Sequence, residues 1–290
     1  MLNNNEKIEV LFINGVGHSG STLLDVLLNN HSQISGFGEI EKFGHKVIHP
    51  ETVCSCGKDF IDCEFWGDYV SEHQNFLNKG VRQINKSKLD ILSNSDKYYF
   101  LNYGDGETNK DEYLRENEFL YDYIKNKTSA KIILDSTKNP IRSDFLSDNS
   151  EFLKISVIHL VRDARGVMAS YKKKYGRPMF YLWTWFTGNL KVLLLSRRSK
   201  INYKLMMYED LVRDPGNVLA DVFRWVGLEN ESVIENKNSV RHYVAGNERV
   251  YKQSDILISE DFRWKKELNI FEKIVGSVFN VILKILIKIL

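Results

Sequence analysis

The chain has 290 residues, with 40 Lys and Arg against 38 Asp and Glu and a formal net charge of +2. So small an excess makes no field that gathers nucleic acid, and 43% hydrophobic with 27% charged residues exclude a disordered chain. The cysteines are Cys54, Cys56 and Cys63, an odd and clustered set that builds no fold-wide disulfide framework, so a reducing, cytoplasmic setting is expected.

The opening residues carry no basic head, and the apolar run Val10 to Ile13 is too short for a signal-peptide core. That run reads as a buried strand, and a helical pattern follows from Ser21 to Asn30. Between about 44 and 127 the apolar pattern weakens, which suggests a mostly helical insertion. Further strands are expected at Ile132 to Leu134, Ile155 to Val161 and Tyr203 to Tyr208, each followed by a helix. Repeated βα units imply an α/β fold: one domain over 1–290, with a three-layer parallel sheet of about five strands between helices. In the apolar terminal helix, about 265–290, the uncharged stretch from Ile274 to Leu283 is only ten residues. A bilayer needs roughly 20. The helix therefore packs on the sheet layers or, with Lys273, Lys284 and Lys288, lies at a membrane surface.

Chemistry concentrates where strands end. The first runs into Gly15-Val16-Gly17-His18-Ser19-Gly20-Ser21-Thr22, a glycine-rich turn whose following helix offers free amides and a dipole to an anion. Gly15, Gly20 and Thr22 match Walker A spacing, but Ser21 stands where that motif has lysine. The third long strand ends in Arg162-Asp163-Ala164-Arg165, placing a guanidinium at the edge where open α/β sheets bind ligands, with Ser170 two turns on. Helical spacing over Met179 to Phe186 places Trp183 and Phe186 with Met179 on one face, expected to be core. Cys54, Cys56 and Cys63 fit three readings: a zinc site completed by His45, His49 or His73, a disulfide, or plain loop thiols.

The Ser-Gly-Ser-Thr loop and the Arg-Asp-x-Arg-Gly-Val-x-x-Ser segment resemble the sulfotransferase superfamily, whose members have a P-loop-like fold. Tyr208-Glu209-Asp210-Leu211-Val212 and Gly246-Asn247-x-Arg249, then Asp261 and Trp264, resemble two further segments of that family. The likeness covers about residues 8–45 and 130–268. It implies transfer of a sulfuryl group from 3′-phosphoadenosine 5′-phosphosulfate to a hydroxyl or amine, with no inherent need for a metal. By the same resemblance Gly17, His18, Ser19, Gly20, Ser21 and Thr22 hold the 5′-phosphate. Arg162 and Ser170, joined by Arg249, hold the 3′-phosphate, and Tyr208 lies by the adenine. Lys138, in Asp135-Ser136-Thr137-Lys138-Asn139-Pro140, resembles the lysine that neutralises the bridging oxygen. Glu39 resembles the general base of the tyrosylprotein branch, offset by one residue, with His31 an alternative. His18 replaces a Lys or Arg common in relatives, so it aids departure only if the bound donor charges it.

Two other classes compete. A nucleotide-dependent kinase would use Asp135 for magnesium but lacks the loop lysine; a non-catalytic, membrane-associated binding protein would use the terminal helix. The acceptor is open among lipid, carbohydrate, peptide and small molecule.

Overall fold

The computed structural model describes residues 6–49, 51–73, 82–86, 91–92, 97–102, 109–198, 201–234, 240–246 and 258–290. Five parallel strands form the central sheet: β1 (Ile8–Gly15), β2 (Ile34–Gly36), β5 (Ile132–Asp135), β6 (Leu153–Val161) and β7 (Asn202–Met207). Their order is β2-β5-β1-β6-β7. β1 lies in the middle, with Val10 beside Ile133 on one side and Ile155 on the other.

The sheet is buried on both faces, which is why its strands read as continuous apolar runs. Successive residues of β1 serve different cores: Val10 and Phe12 one, Leu11 and Ile13 the other. Helices α1 (Ser21–Leu28), α8 (Tyr208–Arg213) and α9 (Pro215–Trp225) cover the second core through Leu24, Leu211 and Phe223. The first core lies under α4 (Lys110–Thr128) and α5 (Pro140–Asn149), which contribute Tyr121 and Phe145. A third core joins α6 (Ala164–Tyr175) and α7 (Pro178–Arg198) to the terminal helix α11 (Ile270–Ile289).

The stretch from 43 to 128 holds the helices α2 (Phe43–Ile48), α3 (Gly67–Glu72) and α4. It also contains an antiparallel ribbon, β3 (Arg82–Asn85) with β4 (Tyr99–Asn102), which was not anticipated. Four-residue strands of mixed polarity carry too few alternations to register as a period.

The aromatic segment corrects a second expectation. Within Met179–Phe186 it is Leu182 and Trp185 that are buried and Phe186 that packs partly buried against the third core, whereas Met179, Phe180 and Trp183 face outward, Trp183 with 54% of its surface exposed. Trp185 is fixed by its Nε1, which donates to the Arg162 carbonyl at 2.9 Å. A stripe of aromatics states that a helix has an apolar face without saying which side meets the sheet.

Asn269 and Glu272 start α11 with reciprocal side-chain to backbone bonds. Gly276 lets it approach α6 closely; a Cβ there would sit 2.9 Å from Arg165 Cγ. Short helix α10 (Trp264–Glu267) precedes it. Among the described residues no helix is long and apolar enough to cross a membrane.

Asp25 in α1 is wholly enclosed, and burial pushes its carboxyl up to about 6. The folded chain then holds this proton more tightly than the unfolded one, so stability falls as pH rises from about 4 to about 6. Asp25→Asn removes that titration. Urea unfolding is expected to show the variant gaining on the parent at about pH 8, with the gain vanishing near pH 4, the ordinary aspartate range.

Candidate functional site

The carboxyl ends of β1, β2, β5, β6 and β7 share one edge of the sheet. Gly20 precedes α1 with φ of 94° and leaves no room for a side chain, because a Cβ would strike the Tyr208 ring. Ser19 is buried, its hydroxyl donating to the Val16 carbonyl at 2.7 Å; it shapes the loop from within rather than facing outward. Ser21 and Thr22 form the first turn of α1, where amides have no intrahelical acceptor. Gly17 packs against the Tyr171 hydroxyl.

Arg162 closes on this loop. Its Nη1 donates to the His18 carbonyl at 2.8 Å, and its guanidinium lies 4.5 Å from the centre of the Tyr208 ring. Tyr208 thus stands between Gly20 and Arg162. The second nitrogen, Nη2, meets Asp261 Oδ2 at 2.7 Å, and Asp261 also takes Arg263 as a fork. These arginines, Arg263 foremost, hold the Asp261 carboxyl far below its ordinary range. A cleft of about 170 Å³ opens here, lined in part by Arg162, Arg165, Tyr208, Glu209, Asp261 and Trp264. Ser170 lies on α6 with its hydroxyl on the Gly166 carbonyl at 3.0 Å and is not among the cleft's lining residues. Arg249 lies outside the described residues.

On the other side of β1, Glu39 follows β2 and Lys138 follows β5, and these strands are neighbours. The two side chains meet: Lys138 Nζ is 2.5 Å from Glu39 Oε1, and Lys42 Nζ is 2.5 Å from Oε2. Burial alone would raise the Glu39 carboxyl, but the two lysines outweigh it and hold it below its ordinary value. His18 holds Arg162 through its carbonyl and feels the charge of Lys138 as well. Burial first, then the positive charges of Lys174, Arg162, Lys138 and Arg263, lower its pKa, so the ring is neutral near pH 7.

Both His18 and Lys138 have φ of 64°, a left-handed backbone that costs side-chain-bearing residues roughly 1–2 kcal/mol. At Lys138 the strain is held by a buried network. Asp135 Oδ1 accepts from the Thr137 amide at 2.9 Å, while Oδ2 accepts from Tyr121 Oη at 2.8 Å and lies 3.3 Å from Arg142 Nε. Arg142 in turn donates to Tyr113 and Tyr121 at 3.0 Å each. Asn139 caps α5 and donates to Glu41 at 2.8 Å. Asp135 is thereby committed to structure rather than to a magnesium ion.

The remaining candidates separate from this edge. His31 is buried at the end of α1 against Glu229 and Gln33, which removes it as a base. Cys54, Cys56 and Cys63 converge with His242, not with His45, His49 or His73. His45 lies against His49 and His73 against Tyr69. His242 is separated from Cys63 by 179 positions, so no local spacing announces it. Asp261 was visible as a motif residue, but its pairing with Arg162 across 99 positions was not.

Removing Arg142 would leave the buried Asp135 carboxylate without its compensating cation. Arg142→Ala is expected to cost about 3–5 kcal/mol in equilibrium unfolding.

A model of the sulfotransferase family matches residues 11–232. Among solved structures, the chain is similar to the sulfotransferase domain of the Synechococcus PCC 7002 olefin synthase. The TM-score is 0.56 at 19% identity, covering 97% of this chain and 98% of that one. It is also similar to the sulfotransferase domain of the curacin biosynthetic pathway, with a TM-score of 0.53 and 16% identity over 95% and 99% of the two chains. At such identities the structural likeness speaks for the fold alone. No curated protein matches the chain.

Proposed function

Because the chain belongs to the sulfotransferase family and so is an enzyme of sulfuryl transfer, we propose that its donor is 3′-phosphoadenosine 5′-phosphosulfate, with Glu39 as general base and Lys138 beside the leaving oxygen. The observation that carries this reading is the contact of Glu39 with Lys138 at neighbouring strand ends, next to a glycine loop already gripped by an arginine. When bound, the donor supplies an activated sulfuryl group and a second phosphate at its 3′ position.

The first-turn amides of α1 and the Thr22 hydroxyl bind the 5′ end. Arg162 takes the 3′-phosphate, for which Asp261 must give way, since its carboxylate now covers one guanidinium nitrogen. Tyr208 presents its ring to the adenine between them. As Lys138 turns toward the bridging oxygen it leaves Glu39. Glu39 then loses one of the two cations that depress it, becomes a stronger base, and accepts the proton of an acceptor hydroxyl or amine. His18, neutral, offers a hydrogen bond there rather than a charge. Ser170 would reach the 3′-phosphate only by leaving the Gly166 carbonyl.

Calorimetry with adenosine 3′,5′-bisphosphate checks the binding half: Arg162→Ala should weaken binding at least about tenfold, the scale of one lost charge-assisted contact. Glu39→Gln should bind as the parent does. In transfer of labelled sulfate to a cell extract, Glu39→Gln and Lys138→Ala should each lose about 10²–10⁴ in rate. No binding by the parent at millimolar ligand, or undiminished binding by Arg162→Ala, overturns the donor assignment.

The reading extends to where the enzyme works. Ile270, Phe271, Ile274, Val278, Val281, Ile282, Ile285 and Ile289 are all exposed. At about 100° per residue they fall within an arc of roughly 120° of α11. Lys273, Lys284 and Lys288 line one edge of that stripe, while Gly276 and Leu283 face the core. An apolar stripe bordered by cations suits the surface of an anionic bilayer. Flotation with vesicles of mixed phosphatidylcholine and phosphatidylserine should retain the parent and release Phe271→Asp with Ile285→Asp. Failure to float, or a solution dimer abolished by the same changes, overturns this placement.

A further inference from the structure

We propose that Cys54, Cys56, Cys63 and His242 bind one structural zinc ion that ties the insertion to the 240–246 segment behind Glu39. Their four ligand atoms all lie within 4.8 Å of one another. The Cys56 and Cys63 sulfurs are 3.7 Å apart, and His242 Nδ1 is 3.2 Å from Cys63 Sγ and 3.8 Å from Cys54 Sγ. Around a tetrahedral zinc with bonds of about 2.3 Å to sulfur and 2.0 Å to nitrogen, such edges measure roughly 3.5–3.8 Å. A disulfide would bring two sulfurs to about 2.05 Å. All three cysteines are free thiols.

The scaffold holds these atoms in place independently of any ion. Gly57, at φ of 89°, turns the chain so that the Gly57 amide meets the Cys54 carbonyl at 2.9 Å, bringing Cys54 and Cys56 to one point despite a single residue between them. The His242 ring stacks on Phe65 at 5.5 Å, and Trp66 Nε1 donates to the His242 carbonyl at 2.9 Å. Ser55 pins both neighbours of His242, donating to the Arg241 carbonyl at 2.6 Å and accepting from the Tyr243 amide at 2.7 Å. Cys54 and Cys63 are buried. Three thiolates and an imidazole form a soft set that selects zinc over magnesium or calcium. Four protein ligands leave no open position for water, so the role is structural rather than catalytic.

The position gives the ion a consequence at the site. Three residues past His242, the Ala245 carbonyl accepts the Glu39 amide at 3.0 Å, and the Val244 amide donates to Phe37 at 2.9 Å. The ion would therefore anchor the segment against which the Glu39 loop rests, without touching any reactant.

Metal analysis of the full chain, purified with reductant and without chelator, tests this independently of donor or acceptor. About one zinc per chain is expected, falling severalfold in Cys56→Ser and His242→Ala. His242→Cys, which preserves four soft ligands, should retain the metal and covers the event that the alanine variant fails to fold. Cobalt added to metal-stripped protein should give tetrahedral visible bands with thiolate charge transfer. A parent that takes up neither zinc nor cobalt under reducing conditions, or a Cys56–Cys63 disulfide found by mass under the same conditions, overturns the proposal.

Discussion

The buried pair of Asp135 and Arg142 is the interaction on which the site's geometry depends. Both side chains are withdrawn from water, and such a pair holds only when every remaining lone pair and proton is met. Tyr113, Tyr121 and Thr137 meet them, and in doing so they join α4, α5 and the end of β5 into one unit. That unit supplies the rigidity needed to hold Lys138 in a left-handed conformation beside Glu39. A lysine on a free loop would spend its charge on solvent; this one is aimed.

Three cations of the site are matched to carboxylates of the chain itself: Lys138 to Glu39, Arg162 to Asp261, Arg165 to Asp163. The arrangement keeps the positive groups oriented and only partly hydrated. An incoming anion then exchanges one carboxylate for another negative group, with little reorganisation of the cation. It also links binding to chemistry, because the carboxylate freed from Lys138 is the proposed base. His18 fits the same logic: surrounded by four cations, it is kept neutral by burial and by their field.

The insertion and the terminal segments frame this centre from two sides. The 240–246 segment pairs with the Glu39 loop through the bridge of Gly38 and Ala245 and meets the cysteine-bearing loop through Ser55 and Trp66. On the opposite flank α11 meets the arginine loop, Asn280 donating to Asp163 at 2.9 Å. Segments remote from the proposed transfer chemistry therefore set the position of the residues that carry it.

Much of the architecture was legible in one dimension because it depends on short-range physics. Apolar runs buried on both faces reveal parallel strands, and a glycine loop before a helix reveals an anion cradle, so four of the five sheet strands and the positions of Lys138 and Arg162 at strand ends could be read directly, while Glu39 was reached by family resemblance. The inward turn of Ser19, the exposure of Trp183, the ribbon of β3 and β4, and the structural use of Asp135 could not. They depend on which side of a helix or loop meets the rest of the chain. The same holds for His242 beside three cysteines and Asp261 beside Arg162: such pairings span 99 positions or more. No local period records them, because only the closure of the sheet and its layers brings those atoms together.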